Sequence, residues 1–381
     1  MATLFKNMEN KLIGNKKFFE KKHMEKFGKE YRDAQLVEKS IYVLEYLAQL
    51  RAQGLNPLFR GGSATQLLLP KPFKRLSIDL DIVFKDIKKL TDKMQKIKSK
   101  FNNQFFSFSR DRRKGIHFRI EIPTYYTPEL SGFIILDVIE KEPKYKTQKL
   151  KLKTDFYESS QEVKVPTIDS MIGDKLTTIG INTIGLLKGR PTMEQSKQLY
   201  DVDQLMDHMK SFKDVFDAYK ECYFDQLEYR KKDYSFSKVV EDMAYTSKLF
   251  VVKISDFLNK KMKEDAEYIQ DGIIRINNHL TRGARFTRLN ARVGGARVMF
   301  ASRIIELFEN KEVSNKDATS VLKDSERIKD LIRDRDFMKF AASEIKKKEK
   351  ILVPKELIGN APNALVYVYG YWYPKEFLSK F

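Results

Sequence analysis

Early in the chain, two groups of residues have the types and spacing to handle a phosphate and a cation. The first is Arg60-Gly61-Gly62-Ser63, which ends a short extended stretch, Leu58-Phe59-Arg60, and precedes a helical pattern from Ala64 to Leu69. A strand that turns through Gly-Gly-Ser into a helix presents backbone N–H groups and a hydroxyl at the helix's amino end. The orphan donors and the helix dipole both favour an anion there, and glycine lets a bulky phosphate chain approach the backbone. The second group is Asp79-Leu80-Asp81, inside the alternating stretch Ser77–Phe84. Side chains at i and i+2 of a strand share a face, so the two carboxylates repel unless a proton or a cation shares the site. Hard oxygen ligands select Mg²⁺ or Mn²⁺, and such a pair suits cations that clamp an in-line phosphoryl displacement. A bare Asp-x-Asp is more often a polar strand face turned to water. Gly-Gly-Ser one helix upstream reverses that weighting.

A third carboxylate, Asp137, interrupts the otherwise apolar stretch Phe133-Ile134-Ile135-Leu136-Asp137-Val138-Ile139. An inward charge on a central strand calls for a cation; the plainer alternative is a strand-end residue that reaches solvent or a lysine.

The elements that must position these residues are readable from periodicity. Phe5 to Gln53 is helical in pattern, with Ile41, Leu44, Leu47 and Leu50 on one stripe, until Gly54 and Asn56-Pro57 end it. Pro70-Lys71-Pro72 stops the helix after Gly-Gly-Ser. A basic helix is predicted from Asp86 to Lys100, then strands at Phe105–Arg110, Ile116–Ile122 and Gly132–Ile139. After Val165-Pro166 the period becomes helical, at Ile168–Ile179 and Glu194–Lys210, and stays mostly so to about Lys350. Leu365–Tyr373 is aromatic and β-branched enough to predict a final strand, buried in packing and not stacked on bases. The fold class expected is α/β: a mixed β-sheet flanked by helices, followed by a mainly α-helical carboxy-terminal domain. The boundary falls near Ser211–Phe216, giving domains 1–212 and 213–381.

Composition narrows the chemistry. The 381 residues carry 72 Lys and Arg against 52 Asp and Glu, a net charge of +20, which points to a polyanionic partner. With 27 Phe and 18 Tyr the chain has ample apolar surface for a core. The single cysteine, Cys222, excludes an internal disulfide and a thiolate metal cluster. The four histidines, His23, His117, His208 and His279, are scattered, which argues against a zinc hydrolase. Met1–Lys22 lacks a secretory h-region, and no apolar run reaches the length of a membrane span. A soluble, cytoplasmic protein without membrane partners is expected.

Taken in order, Phe59-Arg60-Gly61-Gly62-Ser63, Arg75-x-Ser77-x-Asp79-x-Asp81 and a later strand Asp resemble the nucleotidyltransferase superfamily. With Lys39-Ser40-Ile41-Tyr42 before them, and Gly173-Asp174-Lys175-Leu176, Arg190 and Lys197-Gln198-Leu199-Tyr200-Asp201-Val202 after, the pattern is similar to the AbiEii/AbiGii toxin family over residues 35–210. The loop between Ser63 and Asp79 is longer than usual there, and Gln198 stands where that family often has Asp. The resemblance implies a metal-dependent enzyme that transfers a nucleoside monophosphate from an NTP to an acceptor hydroxyl. Asp79 and Asp81, with Asp137, would bind Mg²⁺ or Mn²⁺. Gly62, Ser63, Arg75, Ser77 and Lys175 would bind the nucleotide, and either Asp137 or Asp201 would complete the catalytic set. It also implies a type IV toxin–antitoxin or phage-defence setting, with a separately encoded antitoxin, and members of the family modify tRNA 3′ ends.

One further feature concerns the acceptor. From Gly272 to Ile305 there is no acidic residue and there are seven arginines, of which Arg282, Arg285, Arg288 and Arg292 step by three and four. On one helix they would share a face, and guanidinium forks suit phosphates. Gly283, Gly294 and Gly295 would allow a phosphate backbone to approach. RNA, tRNA in particular, is therefore the leading acceptor. The rival readings are transfer to a protein or small-molecule hydroxyl, and a degenerate scaffold that binds nucleotide or RNA without turnover.

Overall fold

The computed structural model describes residues 9–103, 105–111, 115–126, 132–352 and 355–381. The start of the expected amino-terminal helix, residues 5–8, lies outside them. The described chain divides into two compact units: residues 1–167 with 278–285, and residues 168–277 with 286–381.

In the first unit, two helices, α1 (Lys21–Tyr31) and α2 (Ala34–Ala52), precede strand β1 (Leu58–Arg60) and helix α3 (Gly61–Leu68). Strand β2 (Asp79–Val83) and helix α4 (Ile87–Lys100) follow, then β3 (Phe108–Asp111), β4 (Ile116–Ile122), β5 (Gly132–Ile139), β6 (Thr147–Lys153) and β7 (Glu158–Pro166). Among the described residues these strands form one mixed, seven-stranded sheet in the order β3-β4-β5-β2-β1-β7-β6. The β2–β5 and β1–β7 pairs are parallel and the other pairs antiparallel. The expected sheet thus extends by two strands, β6 and β7, and β7 reaches β1 from about a hundred residues away in sequence.

One sheet face is the core. Leu80, Ile82, Phe118, Ile120, Ile134, Leu136 and Val138 are buried at alternate positions, as a one-sided sheet requires. Helix α2 lies against β2, β5, β7 and α4. It is buried nearly all round, so a carboxylate on it needs partners inside. Glu45 accepts from the backbone N–H of Ile13 and of Gly14, each at 2.9 Å, and from the Tyr157 hydroxyl at 2.8 Å.

The second unit is helical in its described residues. It begins with α5 (Ile168–Leu176), α6 (Met193–Met206), α7 (Phe212–Arg230), α8 (Phe236–Val251) and α9 (Lys260–Arg275). Around α10 (Arg288–Glu309), whose segment Gly294–Ser302 is buried, pack α6, α8 and the helix Pro362–Trp372. The strand predicted at Leu365–Tyr373 is therefore a helix. Pro362 in its first turn is pre-set for helical φ, and burial of Ala364–Gly370 fills it with the apolar residues that mimic a strand's composition. Its aromatic side chains pack internally as expected, Tyr367 and Tyr369 being buried.

Candidate active site

The turn from β1 into α3 is tighter than the sequence suggested: the helix starts at Gly61, directly after the strand. Arg60 at its N-cap supplies no side-chain cap, so the first-turn N–H groups are not closed off by a capping oxygen. Gly61 has φ +72°, in the left-handed region that favours glycine. A methyl group on Gly61 would also stand 2.0 Å from Oδ2 of Asp81. A methyl group on Gly62 would meet Nη2 of Arg75 at 2.6 Å and Oγ of Ser77 at 2.7 Å. Both glycines are thus required by what lies over them, and the motif residues converge on one turn.

Ser63 is buried, and its hydroxyl donates to the carbonyl of Asp79 at 2.6 Å. It fastens α3 to the start of β2. Arg75 and Ser77 are buried as well. The Ser77 carbonyl accepts from the Ser40 hydroxyl at 2.8 Å, tying this loop to α2. The long loop ahead of β2 is held at Asp155, which accepts from Tyr31 at 2.8 Å and pairs with Lys71 at 3.1 Å and Lys74 at 3.4 Å. Burial works against ionisation of Asp155, but the Tyr31 hydrogen bond and the two ammonium groups prevail and hold its carboxyl below the usual range. Beyond the loop, Leu76 N–H donates to the carbonyl of His279 at 2.7 Å, and Arg75 forms a bridge with Leu280. Residues 278–285 therefore belong to this unit despite their distance in sequence.

Asp79 is exposed and Asp81 half-buried, with Leu80 buried between them. Parallel pairing sets Asp81 opposite Asp137 and Asp79 opposite Ile135, and in-register neighbours on adjacent strands share a face about 4.8 Å apart. All three carboxylates therefore stand on the sheet face opposite the core. Asp137 is not inward, as the apolar run around it suggested: Leu136 and Val138 take the buried positions, and Asp137 is 38% exposed. A strand that is apolar on both faces does not reveal which one is covered. Nδ1 of His117 donates to Oδ1 of Asp137 at 2.5 Å, a pairing made across the β4–β5 register.

The donor set suits a hard divalent cation: two carboxylates at alternate positions of one strand and a third in register beside them, all oxygen. Gly61 leaves Asp81 the room a side chain would take. Among the described residues no three His, Cys, Asp or Glu side chains are gathered into a metal cluster. Asp79 and Asp81 are the holders the geometry offers first, with Asp137 engaged by His117 through one oxygen.

Lys175 and Asp201 come together in the second unit, on α5 and α6. Nζ of Lys175 lies 2.7 Å from Oδ2 of Asp201, at side-chain exposures of 4% and 0%. Nζ also donates to Oε1 of Gln198 at 3.1 Å, which gives the atypical Gln198 a place in the cluster. Tyr200 is buried, its ring edge-to-face with Phe286 at 5.5 Å, a packing role.

The arginine series departs from its predicted form. Thr287 and Asn290 make a reciprocal capping box that starts α10 at Arg288. Arg282 and Arg285 thus lie ahead of that helix, in the segment 278–285. Arg282, Arg285 and Arg288 are exposed and Arg292 is half-buried. Gly294 and Gly295 serve helix packing: a methyl group on Gly295 would meet Cβ of Phe250 and the carbonyl of Ser247, each at 2.8 Å. Arg297 is buried, donating to the carbonyl of Leu322 and, at 2.7 Å, to Asp207. Sequence reasoning missed Arg60 and His117 as neighbours of the carboxylates. The alternation of His117, Arg119 and Glu121 marks an open face, but only the strand pairing puts His117 beside Asp137.

A glycine turn at a helix start, beside carboxylates on adjacent strands of a mixed sheet, is the arrangement of a nucleotidyltransferase. Residues 45–280 match the family described as AbiEii, nucleotidyl transferase AbiEii toxin, type IV TA system. That match spans more than half of the chain, and the protein belongs to this family. Among solved structures, the crystal structure of an antigenic nucleotidyltransferase-like protein from Paracoccidioides brasiliensis is similar, with 15% identity and a TM-score of 0.35, over 51% of this chain and 89% of that one. No curated protein matches the chain.

Proposed function

We propose that the protein is a metal-dependent toxin that transfers a nucleoside monophosphate from an NTP to a hydroxyl of RNA, the 3′ end of tRNA being the leading acceptor. The observation that carries this reading is the juxtaposition of Asp79, Asp81 and Asp137 on one open sheet face, with Gly61 pressed against Asp81. In the reaction the acceptor oxygen bonds to the α-phosphorus as its bond to the β-phosphate oxygen breaks; the acceptor loses its proton and pyrophosphate leaves. Bound Mg²⁺ or Mn²⁺ supplies charge neutralisation on the phosphoryl oxygens.

The chain's own residues do the positioning. The first-turn N–H groups at Gly62 and Ser63 take phosphate oxygens, while the Ser63 hydroxyl, committed to Asp79, keeps that turn against β2. Arg75 and Ser77, packed over Gly62, shape the nucleotide's phosphate site. Lys175 is the family-pattern lysine of the second unit, and Asp201, buried against it, fixes where its ammonium points. Asp137, in register beside Asp81, is on this reading the third carboxylate. On this reading residues 1–212 form the transfer module, and residues 213–381 the basic helical portion, whose Arg282, Arg285, Arg288 and Arg292 contact the RNA backbone. A cognate antitoxin is the expected protein partner, and the cytoplasm the expected site of action. Among the described residues no helix is long and apolar enough to cross a membrane.

The test is transfer of label from each α-³²P NTP onto total tRNA with Mg²⁺ or Mn²⁺, beside an Asp79→Ala/Asp81→Ala variant and a lane without RNA. Label on tRNA from the wild type alone supports the proposal. Label on protein without RNA would move the acceptor to a protein hydroxyl. Absence of label from every NTP would refute the transfer reading.

A further inference from the structure

Four residues lie in one row across four neighbouring strands. Arg60 on β1 opposes Asp81 on β2, Asp81 opposes Asp137 on β5, and Asp137 opposes His117 on β4. In-register neighbours share a face, so two adjacent carboxylates are bracketed by an arginine and a histidine ring. The β4–β5 pairing runs without a break from Ile116 to Ile122, so the backbone that carries His117 is fixed on both sides of it. Nδ1–H of the ring reaches Oδ1 of Asp137 at 2.5 Å, with His117 only 24% exposed.

We propose that His117 is a positioning residue for the cation site: its hold on Oδ1 of Asp137 keeps that carboxylate in one rotamer, with Oδ2 available to a divalent cation shared with Asp79 and Asp81. The inference rests on the reading that these carboxylates bind a cation. A carboxylate accepts at both oxygens, so one can be held by a ring N–H while the other ligates. A ligand oriented in advance by such a partner loses less freedom on binding, and removing partners of this kind typically weakens metal affinity 10- to 100-fold. The same N–H bond makes two neighbouring carboxylates tolerable before a cation arrives.

The experiment titrates Mn²⁺ into the full chain, without nucleotide, and follows free Mn²⁺ by electron paramagnetic resonance and the four histidine ring signals by NMR. In the wild type the His117 ring signal broadens at substoichiometric Mn²⁺, and Asp79→Ala/Asp81→Ala abolishes the broadening. His117→Ala weakens Mn²⁺ binding about 10- to 100-fold. His117→Asn, whose amide N–H replaces Nδ1–H, restores most of it, a rescue that loss of packing would not produce. Circular dichroism checks that each variant is folded; should His117→Ala fail, His117→Phe against His117→Asn makes the same comparison. Unchanged or tighter Mn²⁺ binding in His117→Ala, with binding still lost in Asp79→Ala/Asp81→Ala, would overturn the role of His117 and leave the cation reading standing. A wild-type chain that binds no Mn²⁺ would overturn both.

Discussion

Replacing Gly61 by alanine is the sharpest probe of the site, because two separate costs meet at that residue. The first is conformational: at φ +72° an L-residue with a Cβ is disfavoured by about 1–2 kcal/mol. The second is steric: the new methyl would stand 2.0 Å from Oδ2 of Asp81 and 2.7 Å from Cγ, so the carboxylate must move. A shift of roughly 1 Å at a reacting centre typically costs about 100-fold in rate. Gly61→Ala is therefore expected to lose about 100-fold or more in nucleotidyl transfer while the chain still folds. A double-mutant cycle with Asp81→Ala separates the two terms. That change removes Oδ2 and Cγ but leaves Cβ, 3.0 Å from where the new methyl would stand. In the Asp81→Ala background Gly61→Ala then costs little beyond the conformational term. Chemical denaturation of the four proteins measures the difference, expected to exceed about 0.5 kcal/mol, the usual limit of additivity for independent sites. Equal costs in both backgrounds, with transfer by Gly61→Ala near wild type, would show that Asp81 is not pressed against the turn, and the reasoning would fail.

Other perturbations give equally definite expectations. Lys175→Met takes the ammonium away from the buried carboxylate of Asp201, so unfolding should become easier by about 3–5 kcal/mol, with Lys175→Met/Asp201→Leu recovering part of the loss; equilibrium denaturation checks both. Because the folded pKa of Asp155 lies below its ordinary value, its stabilising contribution is present above pH 3.8 and is lost as pH falls through the folded pKa. The stability gap between wild type and Asp155→Asn should accordingly narrow below pH 3.8, which denaturation curves across pH would reveal. Alanine at Arg282, Arg285 or Arg288 should weaken RNA binding about equally across sequences and lower the magnitude of its logarithmic salt slope by just under about 1 per lost phosphate contact. Filter binding over a salt series measures it, and an unchanged slope would remove that residue from the interface.

The local parts of this structure were readable in the sequence and the long-range parts were not. Ile116–Ile122 and Gly132–Ile139 have the bounds that their patterns predict. Gly61-Gly62-Ser63 and Asp79-x-Asp81 are visible because each sits within a few residues of itself. Strands β6 and β7 were unmarked: Lys149, Lys151 and Lys153 alternate with apolar residues, but nothing in that stretch announces that β7 will lie parallel to β1. The row that joins Asp81, Asp137 and His117 exists only through strand pairing. At the carboxy terminus, composition misled. Val366, Tyr367, Val368 and Tyr369 read as a strand until burial on several sides of a helix explains the same residues. The arginine series failed for a smaller reason, a Thr287–Asn290 cap that interrupts a spacing otherwise suited to one helix.

The bond from Leu76 to His279, and the neighbouring bridge from Arg75 to Leu280, set an order in time. During synthesis the loop that carries Arg75 and Ser77 appears early, yet the segment that braces it arrives roughly 200 residues later. At about 5–20 residues per second that delay is on the order of 10–40 s. Through that interval a nascent chain holds the glycine turn and all three carboxylates but lacks the backbone partner of Leu76. A chain broken off before His279 would carry the same defect permanently. Completion of the loop that carries Arg75 and Ser77 thus waits on translation well into the second half of the chain, so an interrupted chain is left with that loop unbraced.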